Sequence, residues 1–344
     1  MSAPSGVDRS GAASASRPLP DGSQHRQLRQ IMIALIVLAI LVVAPTFLPE
    51  TWIVFLTGVA IWIGMVWAWD LLAIAGYISL AVAGWYGLGA YSTVVFMNYY
   101  GLGFLPSLIL SAAWVAVFSV LVAIPLFRLR GHYFIMGTLI IGEVIYLVMN
   151  QFRLFGIEGA SLVHFPPVDG DPRYFNRYFY FLALGFLVIS CFVVVSVRRS
   201  RIGLALRAMG QDEITAETMG VSTSRYKLIA FGVSSALLAC AGGLTSYWAG
   251  FVQQGTVFTL LITVKVIVIG ILGGSGTLLG AVVGALIIQY VEQVIGPTLA
   301  DLNQIIYGLI VMVVAVLLPS GILPSLNRAV GSYLRARLPS KPVV

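Results

Sequence analysis

A glycine-rich turn between two apolar stretches is the first feature whose residue types could perform chemistry. Residues 265–288 read KVIVIGILGGSGTLLGAVVGALII, and this order of β-branched run, glycines and helical spacing is found in nucleotide-binding folds. A P-loop would need a lysine after its last glycine to meet the phosphates, and GGSGTLLG has none. A dinucleotide site would need a returning strand and an acidic residue about 20 positions on. Glu292 has that spacing, but another apolar stretch follows it, so the sequence argues against nucleotide binding.

The same glycines are better suited to packing. They are Gly273, Gly274, Gly276, Gly280 and Gly284. A four-residue spacing places the last three on one helix face, which lets a neighbouring backbone approach closely in lipid. Gly273, Gly274 and Gly276 interrupt the helix. In a membrane, such a break is tolerated only where it contacts protein or a water-filled cavity. We interpret the stretch as a helix break followed by a close-packing face.

Two ionisable side chains lie in the middle of apolar stretches. Placing a charge inside a membrane has a high free-energy cost, so such residues are functional candidates by default. Glu143 lies within TLIIGEVIYLV and Lys265 within TLLITVKVIVIG. A buried lysine needs an acidic partner, and Glu143 is the obvious intramembrane carboxylate. Such a pair could be structural, or it could line the path of a zwitterionic or anionic solute.

Other reactive side chains are sparse. Cys191 and Cys240 both lie in apolar runs, so we expect neither a disulfide nor a metal site. His25, His132 and His164 are scattered, and no pair has the spacing of metal ligands. Without clustered His, Asp or Cys residues, an enzyme embedded in the membrane is a poor interpretation, and we expect no enzymatic activity.

The amino-acid composition indicates the class of fold that positions these residues. The 344 residues are 59% hydrophobic and 10% charged, whereas soluble domains carry about 25% charged residues. Between Ile31 and Phe127 the only acids or bases are Glu50 and Asp70. The fold class is therefore an all-α polytopic membrane protein. Trp52, Trp67 and Trp69 lie near predicted span ends and are interpreted as interfacial anchors.

Apolar stretches of spanning length predict about ten membrane segments, of which the third and eighth could be broken or re-entrant. They lie at about 31–48, 51–70, 76–99, 104–127, 133–150, 178–197, 228–250, 259–272, 276–295 and 304–320. A glycine cluster at 76–91 and the one at 273–284 suggest two weakly repeated halves with a pathway near the midplane.

Charge sets the predicted orientation. Of the 20 lysines and arginines, 16 lie in the N-terminal tail, 128–132, 198–227 and the C-terminal tail. Basic loops stay cytoplasmic, so both termini are predicted to be cytoplasmic, and the net charge of +7 indicates membrane anchoring rather than nucleic-acid binding. We divide the chain into a disordered tail (1–30), a transmembrane domain (31–323) and a basic tail (324–344).

The longest cytoplasmic loop, 198–227, contains a short predicted helix. Asp212 can cap it, Glu213 and Glu217 share a face at i,i+4, and Gly220 can end it. A short exposed amphipathic helix would fit a groove in a partner, although an ordinary solvated loop is equally compatible with the residues alone.

Four motifs, in order, resemble one family. GYISLAVAGWYGLGAY resembles GQxSLGHAAFxGxGAY, and RLRGHYFIMGTLIIGEVIYLV resembles RLRGxYFAxxTLAxxEIxRLV. SRIGLALRAMGQDEITAETMGVSTSRYKLIAF resembles SRxGRALxAIRExExAAExMGIxxxxYKLxAF, and the glycine turn resembles LGGxGSxxGAxxGA. These are motifs of the branched-chain amino-acid ABC transporter permeases of the LivM type, and the resemblance covers about 51–323.

The resemblance implies a solute-translocating subunit of an ABC importer in a bacterial inner membrane. It implies a second permease (a heterodimer), two cytoplasmic ATPases and a periplasmic solute-binding protein as partners. It also implies that residues 212–220 form the coupling helix, akin to the Glu-Ala-Ala loop of import permeases. No Walker motif is present, so we expect no cofactor in this subunit and place ATP and Mg²⁺ on the ATPases.

Departures from the family pattern bear on the solute. Tyr77 and Val82 replace the Gln and His of the first motif, residues 155–159 replace a Thr-Gly-Gly stretch, and Lys265 replaces a usual Glu. The candidate pathway residues are Tyr77, Ser79, Trp85, Glu143 and Lys265. If these departures shape the pathway, the solute is a urea or amide, an aromatic acid or another small molecule rather than leucine, isoleucine or valine. A secondary transporter with Glu143 and Lys265 as an ion relay is a further alternative.

Overall fold

The computed structural model describes residues 39–129, 131–151, 163–165 and 172–295. Residues 39–47 are helical and belong to a unit of their own, described separately from the rest. The described residues of the main unit form helices and one two-stranded ribbon. Its elements are α1 (Glu50–Ala73), α2 (Val82–Tyr100), α3 (Phe104–Leu126), α4 (His132–Gln151), β1 (Val163–His164), α5 (Pro172–Arg199), α6 (Arg201–Gln211), α7 (Glu213–Thr218), α8 (Thr223–Ala249), β2 (Phe251–Val252), α9 (Gln254–Val257), α10 (Leu260–Gly273) and α11 (Leu278–Ile295).

Six stretches of helix among the described residues are long and apolar enough to cross a membrane. They are Glu50–Ala73, Phe104–Leu126, His132–Gln151, Tyr174–Arg199, Thr223–Ala249 and Gln254–Gly273, and Leu278–Gln293 is a shorter apolar helix. The all-α polytopic class is confirmed, with the β1–β2 ribbon as a small addition. The count of ten is not established, because the segments at 31–48 and 304–320 lie partly or wholly outside the described residues, as do both tails and residues 155–159.

The predicted segment at 76–99 is broken as its glycines suggested. Residues 74–81 are not helical, and Gly76 has a φ of +80°. The helix resumes at Val82 as the 19-residue α2. We call residues 74–81 the broken segment.

Glycines allow the central helices to approach each other closely. A methyl group at Gly89 of α2 would overlap the backbone of Ala239 in α8, and one at Gly242 of α8 would overlap the Tyr86 carbonyl oxygen. Packing of this kind replaces the hydrophobic effect as the force that holds helices together in lipid. Helices α2 and α8 therefore form the centre of the main unit.

The bundle has two distinct ends. One end carries the broken segment, residues 198–227 and residues 274–277, which contact each other through Asp70, Arg198 and Gly276 and through Tyr77 and Glu213. We call it the basic end, because α5, α6 and α8 place arginines and a lysine there. At the opposite end, β1 pairs antiparallel with β2, and Phe165 and Phe104 pack on Tyr247.

Candidate functional site

The short helix α7 at the basic end has the cap that its sequence suggested. The Asp212 carboxylate accepts the Ile214 amide at 2.9 Å and the Thr215 amide at 3.4 Å, and Thr215 Oγ1 donates to it at 2.6 Å. The chain leaves the helix through Gly220, whose φ of +85° is strained for other residues. Asp212 and Gly220 thus fix both ends of α7.

The two glutamates of α7 do not both project into solvent. Glu213 turns inward and forms an ion pair with Lys227 of α8. Glu217 is exposed and accepts a hydrogen bond from Thr223 Oγ1 at 2.7 Å. The outer surface is instead apolar, since Ile214 is 64% exposed and Met219 is 80% exposed. The acidic residues attach α7 to the bundle, and the apolar residues face outward.

Removal of the cap is expected to loosen the first turn of α7. An Asp212→Ala substitution leaves the Ile214 and Thr215 amides without their acceptor, whereas Asp212→Asn keeps an acceptor oxygen and serves as the matched control. Hydrogen exchange followed by mass spectrometry should show faster exchange at these amides in the alanine variant alone. Protection in the alanine variant equal to that of the unmodified protein would show that the Asp212 side chain does not hold the turn.

The protonation of Asp212 sets the pH range of this cap. The Thr215 hydroxyl and then the Thr215 and Ile214 amides donate to the carboxylate and hold its pKa below the usual value. A group with a lowered folded pKa stabilises the fold above its unfolded pKa, and that contribution disappears as pH falls through the folded pKa. We expect the protection of the first turn to be constant near neutrality and to fall only below about pH 4.

Glu213 also reaches the broken segment. The Tyr77 hydroxyl donates to one carboxylate oxygen of Glu213, and Lys227 Nζ donates to the other. Lys227 Nζ donates as well to the Tyr77 hydroxyl at 2.7 Å and lies 4.4 Å from the centre of the Tyr77 ring. We call Tyr77, Glu213 and Lys227 the triad. The sequence offered no sign that a candidate pathway residue and a candidate coupling residue are in contact.

The backbone of the broken segment finds partners in three other helices. Thr138 Oγ1 of α4 accepts the Leu80 amide at 2.9 Å, and Thr263 Oγ1 of α10 donates to the Leu80 carbonyl at 3.4 Å. Trp69 Nε1 of α1 donates to the Ser79 carbonyl at 3.1 Å. Buried backbone groups outside a helix or sheet require such partners. The segment is therefore a junction to which α1, α4 and α10 are attached.

An ion pair holds the glycine turn between α10 and α11. The Asp70 carboxylate of α1 accepts the Gly276 amide at 2.9 and 3.1 Å and pairs with the Arg198 guanidinium, which donates to the Gly276 carbonyl at 2.9 Å. Both polar groups of one glycine are thus satisfied by two charged side chains. The sequence showed Asp70 as a rare charge but gave it no role, and Arg198 counted only toward orientation.

The five glycines singled out from the sequence form a helical hairpin. Helix α10 ends at Gly273, and Gly274 and Gly276 have φ values of 99° and 85°. Methyl groups at Gly273 and Gly284 would overlap the Gly280 and Ile269 carbonyl oxygens, respectively. The turn lies at the basic end and reverses the chain between two antiparallel helices.

The candidate pathway residues of α2 and the broken segment are buried inside this chain. Tyr77, Ser79 and Trp85 are 7%, 5% and 1% exposed. Trp85 packs edge-on against Phe231 of α8 at 5.6 Å between ring centres. Their assignment to the solute pathway stays a prediction.

The expected partner of Lys265 is corrected by the structure. Lys265 pairs with Glu292 of α11 rather than with Glu143, and its ammonium lies 3.9 Å from the centre of the Trp62 ring. The hairpin causes this, because it folds α11 back alongside α10. Glu143 is exposed on α4, so the structure does not bring the two ionisable candidates together.

No group of three His, Cys, Asp or Glu residues within the described ranges could hold a metal ion. Cys191 and Cys240 are free thiols in different helices, α5 and α8. The charged groups that pair across helices within the described ranges include the triad, the Asp70–Arg198 pair and the Lys265–Glu292 pair, and each of them joins elements to each other.

Comparison with known proteins gives one consistent family. The sequence pattern described as "Branched-chain amino acid transport system / permease component" matches residues 51–315. The high-affinity branched-chain amino acid transport system permease protein LivM of Escherichia coli (strain K12) is 29% identical over 332 residues, which cover 89% of this chain and 77% of that protein. LivM of Salmonella typhimurium is 30% identical over 279 residues, which cover 74% of this chain and 65% of that protein.

A more distant relative is the probable branched-chain amino acid transport permease protein LivH of Methanocaldococcus jannaschii. It is 27% identical over 258 residues, which cover 68% of this chain and 79% of that protein. No solved structure matches the chain. The matched region of the family pattern runs from the start of α1 past the end of α11 and includes the triad, the Asp70–Arg198 pair and the glycine hairpin. The chain therefore belongs to the permease-component family of branched-chain amino acid transport systems.

Proposed function

We propose that this chain is the LivM-type permease subunit of an ABC importer for branched-chain amino acids. The observation that carries the proposal is the family match over residues 51–315. The six apolar helices of spanning length suit a multi-pass membrane protein, and we infer a bacterial inner membrane from the bacterial relatives. The subunit moves solute and makes or breaks no bond in it, so its role is transport and not catalysis.

The proposed assembly contains a second permease, two cytoplasmic ATPases that bind ATP and Mg²⁺, and a periplasmic binding protein. Similarity to both LivM and LivH supports a permease pair. We place the basic end in the cytoplasm, with both termini on that side, because basic loops are retained there. Helix α7, with Asp212, Glu213, Glu217 and Gly220, is then the coupling helix, and its exposed Ile214 and Met219 suit an apolar groove in an ATPase.

The structure weakens the reasons for the alternative solutes and mechanisms. Tyr77, which departs from the family pattern, uses its hydroxyl within the triad, so its presence does not argue for an aromatic solute. The Lys265–Glu143 ion relay of a secondary transporter loses its central contact, because Lys265 pairs with Glu292. A branched-chain amino acid is the solute that the relatives' names support.

Reconstitution tests this function directly. Proteoliposomes that hold this chain, its second permease and the ATPases, with the binding protein outside, should accumulate leucine, isoleucine or valine only when ATP is enclosed. An ionophore should leave uptake intact, and omission of this chain should abolish it. Uptake that persists without ATP but collapses with the ion gradient would contradict the proposal, and selective uptake of phenylalanine or urea would contradict the solute.

Lys265 remains a proposed pathway residue, and its ion pair allows a matched test. Lys265→Ala leaves the Glu292 carboxylate without its partner, which we expect to destabilise the subunit by up to about 3 kcal/mol because a broken buried pair leaves an uncompensated charge. Glu292 is partly exposed, which limits the loss. The double variant Lys265→Met/Glu292→Leu should recover thermal stability, measured as the unfolding midpoint in detergent.

Transport by the stable double variant then separates the two roles of Lys265. A normal amount of assembled complex with strongly reduced leucine uptake would support a place in the pathway. Uptake equal to that of the unmodified complex would show that Lys265 and Glu292 serve only to hold α10 against α11.

A further inference from the structure

The triad joins three elements that are far apart along the chain. Lys227 is 3% exposed and is contributed by α8, Glu213 begins α7, and Tyr77 belongs to the broken segment. Each member contacts the other two. The Phe134 and Phe127 rings pack edge-on against Tyr77, with centres 4.8 and 5.9 Å away, so the Tyr77 ring is held in place by its surroundings.

On its outer side, the triad ends at Glu213 in the short helix α7, which has few other side-chain contacts with the rest of the bundle. Helix α7 has six residues, of which only Ala216 is buried. Its side-chain links to other elements include the Glu217–Thr223 hydrogen bond and the contacts of Glu213 within the triad. A displacement of α7 by a docked partner must therefore act on Glu213.

On the inner side, the triad ends in the junction of the spanning helices. Tyr77 lies three residues before Leu80, whose amide donates to Thr138 of α4 and whose carbonyl accepts from Thr263 of α10. The next helix, α2, starts at Val82 and packs closely on α8. Movement of Tyr77 would thus be passed to α2, α4 and α10 together.

We propose that Tyr77, Glu213 and Lys227 form the link that transmits movement of the coupling helix to the broken segment during ATP-driven transport. The proposal deepens the function given above and rests on it, since it requires an ATPase that acts on α7. Lys227 positions the other two side chains, because its ammonium donates hydrogen bonds to both the Tyr77 hydroxyl and the Glu213 carboxylate. The three are positioning residues and need not touch the solute.

A Tyr77→Phe substitution tests the link with the smallest change, because it removes one hydroxyl and keeps the packed ring. Tyr91→Phe is the matched control, since the Tyr91 hydroxyl is buried in α2 and has no hydrogen-bond partner within the described part of the chain. Both variants are reconstituted in the full complex, and leucine uptake and ATP hydrolysis are measured per assembled complex. We expect uptake per ATP hydrolysed to fall about tenfold in Tyr77→Phe, as for loss of one hydrogen bond to a charged group, and to be unchanged in Tyr91→Phe.

A second variant covers the case in which Tyr77→Phe does not fold. Glu213→Asp keeps the charge but shortens the side chain by one methylene. The shorter side chain can place its carboxylate against Lys227 or against Tyr77, but it cannot make good contacts with both at once. It should assemble and hydrolyse ATP while its uptake per ATP falls in the same way. The ratio is the decisive quantity, because a residue that only stabilises the fold changes the amount of complex and not the ratio.

The outcomes distinguish the link from the underlying function. Variants whose uptake and hydrolysis fall in parallel, with the ratio of the unmodified complex, would overturn the link and leave the importer function standing. An unmodified complex without ATP-dependent uptake would overturn the function itself, and the link with it. A lowered ratio in both triad variants, with the Tyr91→Phe ratio normal, supports the link.

Discussion

Arg198→Met is expected to lower the stability and the unfolding midpoint of the subunit strongly. The substitution leaves the Asp70 carboxylate, whose side chain is 4% exposed, without its ion-pair partner. It also removes the donor to the Gly276 carbonyl. Loss of one partner from a buried pair costs about 3–5 kcal/mol, which is a large part of the roughly 5–15 kcal/mol that stabilises a protein domain.

The neighbouring arginine provides the control for this prediction. Arg199 is exposed, so Arg199→Met removes the same charge from the same end of α5 without touching Asp70. The unfolding midpoint in detergent should fall steeply for Arg198→Met and little for Arg199→Met. The double variant Asp70→Asn/Arg198→Met should recover much of the loss, because the amide still accepts from the Gly276 amide. Equal midpoints for the two arginine variants would contradict the role of the pair.

Gly242→Ala is expected to separate α8 from α2. The added methyl group would overlap the Tyr86 carbonyl oxygen, and backbone cannot move aside as a flexible side chain can. Overpacking of a tight contact costs about 1–3 kcal/mol and more where the backbone must shift. The loss falls on the central helix pair, so we expect a lower unfolding midpoint and less assembled complex.

Gly185→Ala is the matched substitution for this test. Gly185 lies within the spanning helix α5, and a methyl group there would meet no atom within 4 Å among the described residues. Alanine also favours helix over glycine by about 1 kcal/mol, so this variant should be neutral or stabilised. If Gly242→Ala unfolds at the same temperature as Gly185→Ala, the close approach of α2 and α8 is not essential to the fold.

The sequence was most informative where a property is local. Hydropathy predicted the spans near 51–70 and 104–127, because twenty apolar residues in a row have few alternatives to a membrane helix. Glycine spacing predicted the break before Val82, and Asp212 with Gly220 predicted the bounds of α7. Each of these features depends on residues within a few positions of one another.

The sequence was least informative where a side chain finds its partner across the bundle. Glu143 seemed the natural partner of Lys265 because both interrupt apolar runs, yet the hairpin supplies Glu292 instead. From the sequence, Glu292 was weighed only as the acidic residue of a dinucleotide site and not as a partner of Lys265. A prediction that α10 and α11 are antiparallel neighbours would have placed Glu292 on the helix beside Lys265.

Two tryptophans show the same limit. Trp67 and Trp69 were interpreted as interfacial anchors from their position near a span end, and this interpretation is wrong, since they are 7% and 3% exposed. Their indoles donate to the Leu278 and Ser79 carbonyls at 3.0 and 3.1 Å. Amphipathic rings suit an interface, but a buried indole N–H equally suits a backbone carbonyl that accepts its hydrogen bond, and the sequence cannot separate these uses.

The Asp70 pair has a consequence for the biosynthesis of the subunit. Asp70 precedes Arg198 by 128 residues and Gly276 by 206 residues, so the ribosome delivers the carboxylate long before either partner exists. When helix α1 is synthesised, the Arg198 and Gly276 partners that Asp70 has in the folded chain are still missing. The contacts that hold this end of α1 are therefore completed only after α5 and the α10–α11 hairpin have been synthesised.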